Sequence, residues 1–243
     1  MELYYEIVHS GFLGKYLYST ESIFGNSALY YGLYISAIAV CAIIAYFIGC
    51  INFGIILSKT KYHDDIRTKG SGNAGATNML RTYGKKMAAM TFFGDFFKAV
   101  IAVLIGICIM GGMGGYAAAF FCMVGHAFPC FYGFKGGKGV AVTAGAIFVL
   151  NYVIFLILLA VFVIAVWATR FISLGSVTAF FLFPLLLSHM NTRMPSLVMI
   201  FAVMMAVLGI YLHRENIKRI YDGKENKFSL KSKKADSGDG NDK

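Results

Sequence analysis

Apolar positions in this chain come in long unbroken runs, not in the alternation of a half-buried strand or the one-sided stripe of a soluble helix. Residues 31–57 contain no charged side chain, more than the roughly 20 residues needed to cross hydrocarbon. They are the first expected span. Residues 87–110 form the second, with Asp95 and Lys98 inside it. After the Gly111–Gly115 turn a third runs over 116–129. Residues 140–150 are a short apolar segment, either a short span or a re-entrant one, followed by a fifth span over 151–169, a sixth over 177–188 and a seventh over 196–212. The pattern predicts an all-α polytopic membrane protein with about seven transmembrane helices. Residues 1–30 mix aromatic and aliphatic residues with isolated charges and are expected to lie at the interface as an N-terminal extension. Residues 31–227 form the membrane domain, and 228–243 have the composition of a disordered polar tail.

Seven crossings put the loops after spans one, three, five and seven on one face. Those loops carry the polar clusters around Ser71, Lys138, Ser176 and His213. The basic residues agree: of 22 Lys and Arg, only Lys15 and Arg193 fall on the opposite face and Lys98 within a span. By the positive-inside rule the shared face is cytoplasmic and the N-terminus is outside. The expected location is therefore the cell inner (plasma) membrane, multi-pass.

Composition strengthens this reading. The chain of 243 residues is 58% hydrophobic and 14% charged, with mean hydropathy +0.67. That excludes an ordinary soluble domain. No cleavable signal is expected, because Glu2 and Glu6 stand where basic residues would begin one. The five cysteines lie in or beside apolar runs without metal-ligand spacing, so neither disulfides nor a zinc site is expected. No cofactor, metal or nucleic-acid partner is expected.

Against this apolar background the run DIRTKGSGNAGATNMLR (65–81) is conspicuously polar. Gly70, Gly72 and Gly75 allow backbone N–H groups to converge on a small anion. Ser71, Asn73, Thr77 and Asn78 add side-chain donors, and Arg67, Lys69 and Arg81 add positive charge. A second loop, Lys135-Gly-Gly-Lys-Gly139, precedes an apolar segment whose helical N-terminus would attract anions. It is not a Walker A loop, since Gly139 follows Lys138 and the glycine spacing differs. Two snorkelling lysines beside a membrane turn are the alternative. Asp95 and Lys98, at i, i+3, are either a functional pair or a structural one. His126 reads as an interfacial hydrogen-bonding residue. His213 and Asn216 share one face at the exit of the last span, where ordinary boundary charge is the alternative.

The segments GSGNAGATNMLR (70–81), GHAFPCFYGFKGGKGVA (125–141), SLGS (173–176) and HRENIKR (213–219) together resemble the successive signatures of the bacterial acyl-phosphate-dependent glycerol-3-phosphate acyltransferases. The resemblance covers about 31–227. It implies transfer of a fatty acyl group from acyl phosphate to the sn-1 hydroxyl of glycerol 3-phosphate, giving lysophosphatidic acid. It also implies a functional link to the soluble enzyme that makes acyl phosphate. Position by position it implies catalytic roles for Ser71, Arg81, His213 and Asn216. Substrate binding falls to Gly70, Gly72, Asn73, Thr77, Asn78, Lys98, the loop Gly136, Gly137, Lys138 and Gly139, and Ser176. VAVTAG after the Lys/Gly loop carries one residue more than the family's usual VAT. A transporter of phosphorylated small molecules is the alternative, although no internal repeat is visible, and a membrane scaffold would leave the Ser, Thr, Asn and His clustering unexplained.

Overall fold

The computed structural model describes residues 11–14, 28–190 and 196–228. Among them are nine α-helices and no strand. In chain order these are α1 (Ala28–Cys50), α2 (Phe53–Tyr62), α3 (Ala76–Tyr83), α4 (Lys85–Ala127), α5 (Val140–Leu150), α6 (Tyr152–Thr169), α7 (Ile172–Met190), α8 (Ser196–Leu212) and α9 (Arg214–Tyr221). By length and apolarity four candidate spans stand out, or five if the bent pair α8–α9 counts as one.

The expected first span does not continue to Leu57. It stops at Cys50, because Asn52 caps a new helix, its side-chain oxygen accepting from Ile55 N at 3.2 Å. The carbonyls released at the break are taken by Lys98, whose Nζ donates to Gly49 O at 3.0 Å and Ile51 O at 2.6 Å. An asparagine in an apolar run thus ends a helix because a cap and a buried cation satisfy both sides of the break.

The long element α4 is a hairpin. Its backbone leaves helical values at Met110 and Gly111, where Gly111 has φ 57°. A straight helix would hold Lys98 and His126 about 42 Å apart, yet Lys98 Nζ lies 3.0 Å from His126 Nδ1. The arms approach so closely at Gly106 and Gly114 that a Cβ on either would overlap the other's carbonyl. Small residues repeat this role elsewhere: Gly49 meets the Cys122 backbone, Gly125 meets Tyr46 O and Gly145 meets Phe96 O. Such backbone-to-backbone crossings are how helices associate where lipid removes the hydrophobic drive between them. The core runs through the second arm, with Ala117, Ala118, Ala119, Cys122 and Met123 fully covered. In contrast α6 turns most of its surface outward, with Trp167 79% exposed, as suits a lipid-facing helix.

Helix α5, of 11 residues, reaches about 16 Å, roughly half the hydrocarbon thickness. The polar stretch expected over 170–176 is not a loop: Ser173 and Ser176 sit in the first turns of α7. The segment 58–86 likewise holds the end of α2, a 3-10 turn (Ile66–Thr68) and all of α3. Of the expected extension, residues 11–14 form one turn whose Gly11 abuts the backbone of Ile109 and Gly111. Lys15, Arg193, the rest of residues 1–27 and the tail from 229 lie outside the described residues.

Candidate active site

The loop before α3 is folded around one side chain. Asn78, 2% exposed, donates through Nδ2 to Ile66 O, Lys69 O and Asn73 O at 2.9–3.1 Å, while its Oδ1 accepts from Ser71 N at 3.0 Å. Gly70, at φ 55°, brings its backbone onto that Oδ1. Asn73 closes the next turn by accepting from Gly75 N at 2.9 Å. The loop therefore needs no ligand to hold its shape. Helix α3 starts at Gly75 without a side-chain cap, leaving its first N–H groups available to an anion.

Arg67 ties this loop to the second one. Its guanidinium pairs with Asp65 at 2.7 Å and donates to Tyr132 O and, at 3.1 Å, to Lys135 O. Within the Lys/Gly loop, Gly137 N donates to His126 O and Gly136 N to Ala127 O, at 3.1 and 3.0 Å. Those two N–H groups are used to fold the loop. The donors facing outward come next, at Lys138, Gly139 and the uncapped start of α5.

A cavity of about 510 Å³ joins these parts. Ser71, Gly72, Asn73, Gly75, Thr77, Asn78 and Arg81 border it from the first loop and α3; Lys138 and Gly139 border it from the second. Ser173 and Ser176 contribute from α7, and His213, Asn216 and Arg219 from the chain leaving α8. Gly70, Gly136, Gly137 and Lys98 are not on its wall; Lys98 is buried behind it, 2.8 Å from Asp95 Oδ1. Asp95 and His126 do reach the wall. Two helix N-termini and four Lys or Arg side chains, Arg81, Lys138, Arg214 and Arg219, thus face one space.

Glu225, just past α9, was not suggested by any sequence pattern. Its carboxylate accepts from Ser173 Oγ and Asn216 Nδ2, both at 2.7 Å, and from Arg219 Nε at 2.9 Å. Burial opposes its charge, but these hydrogen bonds win and hold the carboxyl below its usual range. With its Nδ2 so engaged, Asn216 turns its Oδ1 to Lys138, whose ammonium donates to it. Burial is the main reason that Lys138 is lowered to about 8, with Arg219, Arg81 and Arg214 acting in the same direction and Glu225 against them. His213, beyond the end of α8, has Nδ1 2.7 Å from Gly209 O, so Nδ1 carries the proton and Nε2 keeps its lone pair. Burial lowers it to about 4.

A second, smaller cavity of about 170 Å³ adjoins the first, sharing Phe92, Val140, Phe162 and Ser176 with it. Apart from Thr143, whose hydroxyl is turned to Met123 Sδ, its remaining lining, including Ile147, Phe155, Leu158 and Phe183, is apolar. The polar space therefore opens onto a greasy one, with α5 and α7 along both.

Comparison with known proteins places the chain in a family. The family profile for glycerol-3-phosphate acyltransferase matches residues 39–223. A glycerol-3-phosphate acyltransferase from Thermoanaerobacter pseudethanolicus is 45% identical over 192 residues, 79% of this chain and 96% of the relative. One from Clostridioides difficile is 42% identical over 198 residues with the same coverage. Among solved structures, PlsY, an integral membrane glycerol 3-phosphate acyltransferase, superposes in its glycerol 3-phosphate form with a TM-score of 0.74 at 37% identity, covering 79% of this chain and 96% of that one. Its lysophosphatidic acid form gives 0.69 at 36%. With a profile spanning most of the sequence and close relatives matched almost end to end, this chain belongs to the glycerol-3-phosphate acyltransferase family.

Proposed function

We propose that this membrane acyltransferase transfers a fatty acyl group from acyl phosphate to the sn-1 hydroxyl of glycerol 3-phosphate, releasing lysophosphatidic acid and phosphate for bacterial phospholipid synthesis. The observation that carries this reading is the junction of the two cavities: a basic, donor-rich space large enough for polar headgroups continues into an apolar one suited to an acyl chain. The reacting carbonyl belongs at the junction, between Ser71 and the N-terminus of α5. An acyl phosphate is a mixed anhydride and already activated, so direct attack by the hydroxyl needs no covalent enzyme intermediate. Ser71 then serves as a donor and not a nucleophile.

In this scheme Arg81, the start of α3 and Ser71 stabilise charge developing on the carbonyl oxygen and the departing phosphate. Lys138, Gly139 and the start of α5 hold the acceptor's phosphate. The hydroxyl's proton passes to the free Nε2 of His213 or to a substrate phosphate. Asn216 orients Lys138, and Ser176 lies where headgroup space meets chain space. The signature segments face the cytoplasm in this proposal, with α5 as a short crossing among about seven, and the soluble enzyme that makes acyl phosphate delivers from that side.

Purified protein assayed for phosphate release tests the donor. Release from acyl phosphate that depends on glycerol 3-phosphate, with no turnover of acyl-CoA or acyl carrier protein, is expected. Robust turnover of acyl-CoA by pure enzyme would defeat the donor assignment.

A further inference from the structure

His126 has both ring nitrogens in use only if something occupies the cavity. Its polar neighbours all gather at Nδ1: Lys98 Nζ at 3.0 Å, Asn52 Nδ2 at 3.5 Å and Asp95 Oδ1 at 3.5 Å. The orientation of Asn52 is fixed independently, because its Oδ1 accepts from Ile55 N; its amide nitrogen therefore faces the ring. An ammonium and an amide NH₂ only donate. The three protons of Lys98 are claimed by Gly49 O, Ile51 O and Asp95 Oδ1, but its positive charge 3.0 Å from Nδ1 disfavours a proton there. Asn52 supplies a donor, so Nδ1 keeps its lone pair and the single proton of the neutral ring sits on Nε2. Asp95 does not reverse this, since its Oδ1 is nearer to Lys98, at 2.8 Å.

Lys98 is in turn immovable. It is 4% exposed and anchored by Gly49 O and Ile51 O at the break between α1 and α2. The Nε2–H end of the ring points the other way, against Gly137, in a side chain that is 3% exposed yet borders the cavity. No protein acceptor meets it among the described residues. The proton is turned into the cavity, so water or a ligand oxygen entering there supplies its acceptor.

We propose that His126 is a ligand-binding residue whose Nε2–H donates to a substrate phosphate, with Lys98 and Asn52 holding the ring in that tautomer. The phosphate lies between Gly137 and the start of α5, so that a neutral N–H donor, Lys138 and a helix N-terminus share one anion. This rests on the acyltransferase reading, in which two substrates carry phosphate; the shared chemistry is a phosphate monoester or acyl phosphate oxygen. Lys98 acts only through the ring and is a positioning residue.

The test uses two substitutions in folded, detergent-purified protein. His126→Gln keeps an N–H near the place of Nε2, whereas His126→Asn keeps a partner for Lys98 but does not reach the cavity. His126→Asn is expected to raise KM for one phosphate substrate about tenfold or more, and His126→Gln to stay within about threefold of wild type. Whichever KM moves, for glycerol 3-phosphate or for acyl phosphate, identifies the phosphate held. Both variants losing kcat and thermal stability alike, with KM unchanged, would reduce the residue to a structural one. Nitrogen-15 NMR of histidine-labelled wild-type protein gives a second reading: an Nε2–H neutral tautomer whose signal shifts on adding inorganic phosphate supports the assignment, and an Nδ1–H tautomer or an unmoved signal overturns it. Wild-type protein inactive with both substrates would sink the functional reading, and the phosphate titration would still decide the role of His126.

Discussion

Gly137 lies directly under the imidazole of His126, so closely that a Cβ on the glycine would overlap Nε2. The glycine is therefore required by a side chain from α4 and not by its own N–H, which is committed to His126 O. Gly137→Ala should push the ring off its position and raise KM by about tenfold for whichever phosphate substrate His126 holds, with kcat within about threefold. Combined with His126→Asn, the effects should be markedly less than additive, because both act on one contact. Steady-state kinetics over a full range of each substrate measures this, and fully additive losses would separate the two residues.

The same logic of a backbone built around one side chain makes Asn78 a stringent test of the first loop. Asn78→Asp is nearly isosteric, yet it would set a carboxylate oxygen against the carbonyls of Ile66, Lys69 and Asn73. We expect it to cost about 3 kcal/mol or more and to be at least as damaging as Asn78→Ala. Thermal unfolding and kcat should fall together, since Ser71 hangs from this amide. An Asn78→Asp protein as stable and active as wild type would show that the loop is held otherwise.

How much of this was legible in the sequence depends on the distance over which each feature is written. The apolar runs mark the helices because each run is its own signal. The clustered glycines and hydroxyls mark the two loops for the same reason. The break at Asn52 was hidden, because its cap is local but the cation that donates to its freed carbonyls, Lys98, comes 46 positions later and on another helix. Lys98 was expected beside substrate, yet the structure turns its ammonium toward those carbonyls and Asp95. Glu225 gave no signal at all: a lone glutamate among lysine and asparagine reads as solvated surface, and its partner Ser173 is 52 residues away.

That carboxylate is nevertheless positioned to decide which way Asn216 points. In Glu225→Gln the new NH₂ must face a donor, Asn216 Nδ2 with Ser173 on one side or Arg219 Nε on the other. Asn216 is expected to flip and withdraw its oxygen from Lys138, lowering kcat/KM for glycerol 3-phosphate by about 10- to 100-fold. Wild-type kinetics in Glu225→Gln would show that the carboxylate is incidental.

The proposed sidedness makes an equally direct claim. Ser71, Lys138 and Asn216 border one cavity and must be reached from one side of the membrane. Single cysteines at these positions in a cysteine-free background should react with an impermeant thiol reagent only from the cytoplasmic side. Labelling of any of them from outside intact cells would overturn the orientation.

The pH dependence follows from Lys138. Its ammonium is lowered to about 8, by burial first and then by Arg219, Arg81 and Arg214, with Glu225 opposing; Asn216 and His213 also face it. In the free enzyme it should lose its proton as pH rises through about 8, and with it part of its hold on phosphate. The profile of kcat/KM for glycerol 3-phosphate should therefore fall on the alkaline side near pH 8. Once a phosphate dianion is bound beside it, the charged form is favoured, so the corresponding limb in kcat should move to higher pH. Removing the opposing carboxylate in Glu225→Gln should shift the kcat/KM limb the other way, below that of wild type. Lys138→Met should abolish the limb and leave a low, flat profile on that side. A limb that stays near pH 8 in Lys138→Met would assign the titration to another group, such as the acceptor itself, and remove Lys138 from the binding step.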